Sequence, residues 1–130
     1  MTDLITIIGT LAERMASGRS ATGCASLIGT IDRPVRTGIG APVRLITPLL
    51  GEAIVMTEPD GTVAFFRLEP PKGSPLPIGD LAELGPHTAR YTVNAEILHR
   101  VRFEERLHGC VISADLDERD SVVTLWVRNG

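Results

Sequence analysis

The C-terminal third of the chain alternates apolar and polar residues in the manner of a half-buried strand. Between residues 91 and 103 the odd positions are mostly apolar or aromatic, and the even positions are mostly polar. A period of two is typical of a β-strand rather than a helix. Residues 107–116 and 121–127 predict two more strands, the last of them rich in β-branched and aromatic side chains. The sequence thus predicts a rear three-stranded antiparallel meander over residues 90–128.

The polar segments between these strands predict how the strands pair. With turns at residues 104–105 and 117–120, Ile97 lies opposite Ile112, and Ile112 lies opposite Leu125. In this register the apolar positions of all three strands lie on one face of the sheet. This common apolar face is the reason for choosing the register.

The opposite face of the meander carries an apolar row of its own among charged residues. In the predicted register this row consists of Leu98, Val111 and Trp126. A sheet that is apolar on both sides in its middle needs a cover on both sides. The sequence therefore predicts that a helix covers this row, or that the chain forms a homodimer through Leu98, Val111 and Trp126.

The N-terminal residues predict the helix that could provide such a cover. Apolar residues recur at helical spacing over residues 3–16, so this segment reads as one amphipathic helix. Thr2 or Asp3 is a suitable N-cap, and Gly18 is a suitable end.

Residues 25–69 predict the front strands of the sheet. Glu58 to Gly61 has the composition of a type I turn with glycine in the left-handed position, so the flanking strands should form a hairpin. In that hairpin Val55 lies opposite Phe65. An earlier strand contains Gly29, which predicts a bulge or a close backbone approach.

Taken together, these elements predict an α+β fold dominated by about seven antiparallel strands, forming a barrel or a curved half-barrel with an N-terminal amphipathic helix. No internal repeat is visible. The predicted single domain spans residues 1–130, with helix 3–16, front strands 25–69, a Pro-rich connector and short helix capped by Asp80 over 70–86, and the rear three-stranded meander 90–128.

Composition narrows the class of protein. Of the 130 residues 43% are hydrophobic, which argues against disorder, and the net charge of −3 argues against a nucleic-acid partner. No apolar run is long enough for a membrane span. Two cysteines and no secretory signal predict a cytoplasmic location. One Lys against twelve Arg indicates a bacterial source.

Three side chains of ligand type converge in the predicted register. His99 lies opposite Cys110, with His108 two residues away on the same face, and these are the predicted catalytic residues. A zinc site would use the same side chains, but no carboxylate is near to orient them, so no metal is predicted. A Cys–His nucleophile pair, a single acid–base His99 and buried polar groups bonded to one another stay open as alternatives.

The low aromatic content predicts a sheet interior with room for a ligand. The sequence thus favours a small-molecule-binding β-barrel, whose enzymatic form would be a metal-free isomerase, cyclase or lyase that acts on a largely apolar ligand without a cofactor. Whether the chain is an enzyme is left open. The alternative is a non-catalytic protein-interaction module or subunit. The predicted ligand-binding residues are Tyr91, Ile97, Val101 and Ile112.

Overall fold

The computed structural model describes residues 3–33, 35, 38–88, 91–92 and 99–130. Within those ranges the chain forms two α-helices, one 3-10 helix and eight strands. The helices are α1 (Leu4–Ala16), α2 (Ala21–Ala25) and the 3-10 helix Ile78–Leu84; the strands are β1 (Gly29–Ile31), β2 (Ala41–Leu45), β3 (Glu52–Thr57), β4 (Val63–Glu69), β5 (Tyr91–Thr92), β6 (His99–Arg102), β7 (Val111–Leu116) and β8 (Val122–Arg128).

The strands form one antiparallel sheet in the order β1-β2-β3-β4-β8-β7-β6-β5. Among the described residues no pairing joins β1 to β5, so the sheet stays open. The predicted α+β fold with an N-terminal helix is confirmed, and of its two predicted forms the curved half-barrel fits.

Helix α1 begins and ends where its sequence predicts. Asp3 caps the start, because its Oδ1 accepts a hydrogen bond from the backbone N–H of Thr6 at 2.8 Å. Gly18 follows the end with a left-handed φ of 75°, a conformation that glycine adopts without strain.

Helix α1 packs on one side of the sheet, here called the inner face, which carries Cys110 and Ile112. Its buried side is apolar, and the Cys110 thiol lies 3.6 Å from the carbonyl oxygen of Ala12. Because Cys110 and Ile112 are two residues apart, they share this face, and Val111 points away from it. The prediction that the helix covers the row containing Val111 and Trp126 is therefore wrong.

The front of the chain differs from the predicted boundaries at its first strand. Residues 21–25 form α2, because the Ser20 hydroxyl oxygen caps the helix by accepting from the N–H of Gly23 at 3.1 Å. The first strand therefore begins at Gly29 rather than at residue 25. The short helix after the Pro-rich connector begins at Ile78, earlier than the predicted cap at Asp80.

The predicted register of β6 on β7 is wrong by six residues. His99 pairs with Leu116 and Val101 pairs with Ala114. The cause is a tight turn at His108 and Gly109, whose φ angles of 52° and 83° are both left-handed. The chain reverses there rather than at residues 104–105. A shift by an even number leaves every side chain on its predicted face.

The other two registers slip for a different reason. Ile112 pairs with Val127 rather than Leu125, because a bulge lies between Asp115 and Leu116 and because Asp120 adds a left-handed residue to the turn. A bulge between Met56 and Thr57 likewise shifts the front hairpin by one residue, so Val55 pairs with Phe66 and not with Phe65.

These two hairpins are structural repeats of one another. The pairs Glu52–Glu69 and Val111–Arg128 occupy equivalent positions 59 residues apart, and the bulges and the left-handed turn residues Gly61 and Asp120 also coincide. The last strands of the two hairpins, β4 and β8, pair at the centre of the sheet. The sequence itself shows no repeat, because the residue types at equivalent positions differ, but the backbone geometry of the two hairpins coincides.

The turn at residues 58–61 supports a direct test. Gly61 has a φ of 89°, and its N–H donates to the carbonyl oxygen of Glu58 at 2.9 Å. We expect Gly61→Val to lower the free energy of unfolding by about 1–2 kcal/mol, because a β-branched residue is strained at positive φ. Chemical denaturation measures the loss. Gly61→Asn is the matched control and should lose less, since asparagine tolerates this region; an unchanged stability for Gly61→Val contradicts the turn type.

Candidate functional site

The structure separates the three predicted catalytic side chains. His99 lies in β6 opposite Leu116, and His108 is exposed at the tip of the tight turn. Cys110 is fully buried beneath α1. The register that brought these side chains together is wrong, so the described residues do not form the predicted cluster. A role for His99 in binding a ligand stays a prediction.

The predicted ligand-binding residues are divided between the core and other positions. Val101 and Ile112 are fully buried in the hydrophobic core. Tyr91 lies in β5, where it pairs with Arg100. Ile97, like Leu98 of the predicted dimer row, lies outside the described residues.

Burial also limits the chemistry of the two cysteines. Desolvation raises the pKa of the Cys24 thiol and of the Cys110 thiol above the ordinary range. A raised pKa keeps the thiol protonated at neutral pH, and the protonated form is a poor nucleophile. Among the residues that the structure describes, no group of three His, Cys, Asp or Glu side chains could hold a metal ion.

The opposite side of the sheet, here called the outer face, presents polar and aromatic side chains in three rows. All three rows cross β3, β4, β8 and β7, and the first two rows continue onto β6. The first row is Glu52, Glu69, Thr124, Asp115 and Arg100; the second is Ile54, Arg67, Trp126, Ser113 and Arg102; the third is Met56, Phe65, Arg128 and Val111.

A buried carboxylate holds the middle of this face in place. The side chain of Asp115 is 8% exposed and forms a paired salt bridge with Arg100, with its Oδ1 2.6 Å from Nε and its Oδ2 3.1 Å from Nη2. The indole N–H of Trp126 donates to Oδ2 of Asp115 at 3.2 Å. Charge-assisted bonds of this kind fix both partners of a carboxylate in position.

Aromatic rings and guanidinium groups stack around Trp126. The Phe65 and Trp126 rings meet edge to face at a centroid distance of 5.4 Å. The Arg128 guanidinium carbon lies 4.5 Å from the Trp126 ring centroid and 5.4 Å from that of Phe65, and Arg100 lies 5.7 Å from Trp126. These distances are within cation–π range, so the cluster of Trp126, Phe65, Arg128, Arg100 and Asp115 is ordered before any partner arrives.

Arg67 lies next to this cluster and is incompletely satisfied. Its Nη2 is 3.7 Å from a carboxylate oxygen of Glu52 and 3.6 Å from one of Glu69. Within the described part of the chain its Nε is buried and has no hydrogen-bond partner. Burial, followed by the charge of Glu52, raises the pKa of the Glu69 carboxyl.

A cleft opens at the end of the outer face beside the third row. It has a volume of about 420 Å³, and its walls include Met56, Phe65, Arg128 and Asn129. Its size is within the range of small-ligand sites. Aliphatic, aromatic and cationic groups therefore meet at one place on the surface.

Sequence reasoning found Trp126 and Val111 but missed the residue that organises them. Asp115 stands two residues before the polar turn at 117–120 in the sequence, which suggests a solvated acidic tip, whereas it is buried inside β7. The available signal was the alternation of β7, which places Asp115 on the same face as Val111. A carboxylate on that face needs a cation on the neighbouring strand.

The fold and this surface define a class: an α+β protein whose open antiparallel sheet is covered by helices on one side and carries an ordered aromatic–arginine cluster on the other. No described helix is long and apolar enough to cross a membrane.

No family model and no curated protein matches the sequence. Among solved structures the chain is similar to a DUF4309 family protein, YjgB, from Bacillus subtilis subsp. subtilis str. 168. The two share 10% sequence identity over 97% of each chain, with a TM-score of 0.60. At this identity the likeness concerns the fold alone.

Proposed function

We propose that this chain is a non-catalytic protein-interaction module that binds a partner protein through the outer face. The observation that carries the proposal is the ordered cluster around Trp126. Tryptophan and arginine are the residues that most often dominate binding energy at interfaces. Because Asp115, Arg100 and Phe65 already hold Trp126 in place, less conformational entropy is lost on binding.

The inner face supports an interior ligand less well. Val101, Ile112 and Leu11 of α1 are fully buried within one core cluster, so the inner face serves the packing of the protein. Helix α1 covers Cys110 on that side. The outer face has no helix described over Trp126 and Phe65, which are both partly exposed.

Affinity measurements with purified proteins test the proposal. Proteins captured from an extract of the source organism are produced separately, and the Kd of each is measured against the purified chain. We expect Trp126→Ala and Arg128→Ala to weaken a true partner by at least about tenfold. Ile46→Ala, which removes an exposed apolar side chain after the end of β2 and outside the three rows, should leave the Kd unchanged. A partner that binds all variants equally contradicts the proposal.

Binding of a small molecule at the cleft is the second candidate, and the cleft's volume of about 420 Å³ specifically favours it. A ligand there would contact Met56 and Phe65 with its apolar part and would lie beside the cation of Arg128. A thermal-shift screen that finds a compound whose stabilisation disappears in Met56→Ala would favour this candidate over protein binding.

The proposed location is the cytoplasm. Both cysteines are free and buried, which suits a reducing compartment.

A further inference from the structure

We infer that the partner of the outer face is a second copy of this chain, placed so that β4 of one copy lies over β8 of the other. The inference rests on the proposed function and names its partner. A twofold dimer requires a surface that complements itself. The strand order supplies the geometry for this, because β4 and β8 are neighbours at the centre of the sheet and β3 and β7 flank them.

A twofold axis that runs parallel to the strands, between β4 and β8, places each row of one copy over the same row of the other copy. In the second row Arg67 of one copy then faces Trp126 of the other. In the third row Phe65 faces Arg128. Each contact occurs twice and joins a cation to an aromatic ring, which is a favourable pairing.

In the second and third rows the neighbouring strands agree with the same axis, whereas in the first row Glu52 faces Asp115. Since β3 lies outside β4 and β7 lies outside β8, β3 of one copy faces β7 of the other. Met56 then meets Val111, and Ile54 meets Ser113. Two partly exposed apolar side chains are thereby removed from water together.

The second possible twofold axis in the plane of the sheet runs perpendicular to the strands and gives less favourable contacts on the same face. An axis perpendicular to the strands places the first row of one copy over the third row of the other. Glu69 would then face Phe65, and Glu52 would face Met56. The perpendicular axis sets the carboxylates of Glu52, Glu69 and Asp115 against apolar groups, whereas the proposed axis opposes carboxylates only where Glu52 faces Asp115. The perpendicular axis is therefore disfavoured.

The size of the face sets the expected affinity. With the axis between β4 and β8, the four strands β3, β4, β8 and β7, about 4.8 Å apart, and three rows about 6.8 Å apart cover roughly 19 by 20 Å of sheet. This footprint lies at the small end of specific interfaces, where association is weak or transient. We therefore expect a dimer with a dissociation constant in the micromolar range.

Sedimentation equilibrium of the purified chain tests the inference. We expect dimer to be present at about 200 µM and the Kd to rise at least tenfold in Trp126→Ala. Ile46→Ala is the matched control with an unchanged Kd. A monomer at that concentration overturns the dimer but leaves the interaction module, whose partner would be a different protein. A dimer that is indifferent to Trp126→Ala and Arg128→Ala also overturns the inference.

Cross-linking tests the axis without relying on the fold of Trp126→Ala. The single variants Met56→Cys and Val111→Cys are mixed and treated with a short bismaleimide, while the native cysteines stay protected because both are fully buried. The mixture should yield more covalent dimer than either variant alone. Equal yields from Met56→Cys alone and from the mixture would contradict the proposed axis.

Discussion

Replacing Asp115 with alanine is expected to lower the free energy of unfolding by about 3 kcal/mol, because it removes a buried carboxylate that accepts hydrogen bonds from Arg100 and Trp126. Arg100 is only 25% exposed and makes two short bonds to Asp115. The same substitution removes the acceptor of the Trp126 indole N–H. Equilibrium denaturation with urea measures the loss, and tryptophan fluorescence from the single indole reports its local environment.

The control is a nearby acidic residue without this role. Glu118 is exposed at the β7–β8 turn, and Glu118→Ala should change stability by less than about 0.5 kcal/mol. A loss below about 1 kcal/mol for Asp115→Ala would contradict the structural role given to the carboxylate. If Asp115→Ala keeps the fold, it should also weaken any binding that depends on Trp126.

Gly29→Ala is expected to have a similarly large effect, a loss of about 2–4 kcal/mol, because the added methyl group has no space. A β-carbon on Gly29 would overlap the carbonyl oxygen of Arg44 and would lie 2.8 Å from the carbonyl carbon of that residue. The obstacle is backbone of the paired strand β2, which cannot move aside as a flexible side chain can. Thermal and chemical denaturation measure the effect.

Gly9→Ala provides the matched control, since it is the same substitution in a different setting. Gly9 lies within α1, and a β-carbon there meets nothing within 4 Å. We expect Gly9→Ala to stabilise the protein by about 0.5–1 kcal/mol, because alanine is the better helix former. Equal effects of the two substitutions would show that the strand β1 is packed differently around Gly29.

The elements that sequence reasoning located well depend on local signals. Helix α1 follows from apolar residues at helical spacing and from a capping side chain at Asp3, both of which act within one turn. Gly61 takes the left-handed conformation that its turn composition predicts. Gly29 lies at the close approach that glycine inside a strand predicts.

The candidate site was only half accessible to such reasoning. Val111 and Trp126 were assigned to one face, and the structure places them there. The predicted cluster does not form because it required Cys110 to pair with His99, a contact between residues on different strands, whereas His99 pairs with Leu116. The role of Asp115 in holding Arg100 and Trp126 was missed because its acidic neighbours at the turn suggested solvent exposure.

The sequence by itself determined the secondary structure of most segments and, in the rear meander but not in the front hairpin, the face to which most strand residues point. Those properties repeat every two or every 3.6 residues along the chain, so they can be recognised locally. Only the tertiary structure decided which residues lie opposite one another. An alternating pattern is unchanged by a shift of two residues, and the turn at His108–Gly109 and the bulges at Met56 and Asp115 select among the possible shifts. The open sheet, the repeated hairpins and the cluster around Trp126 follow from those choices.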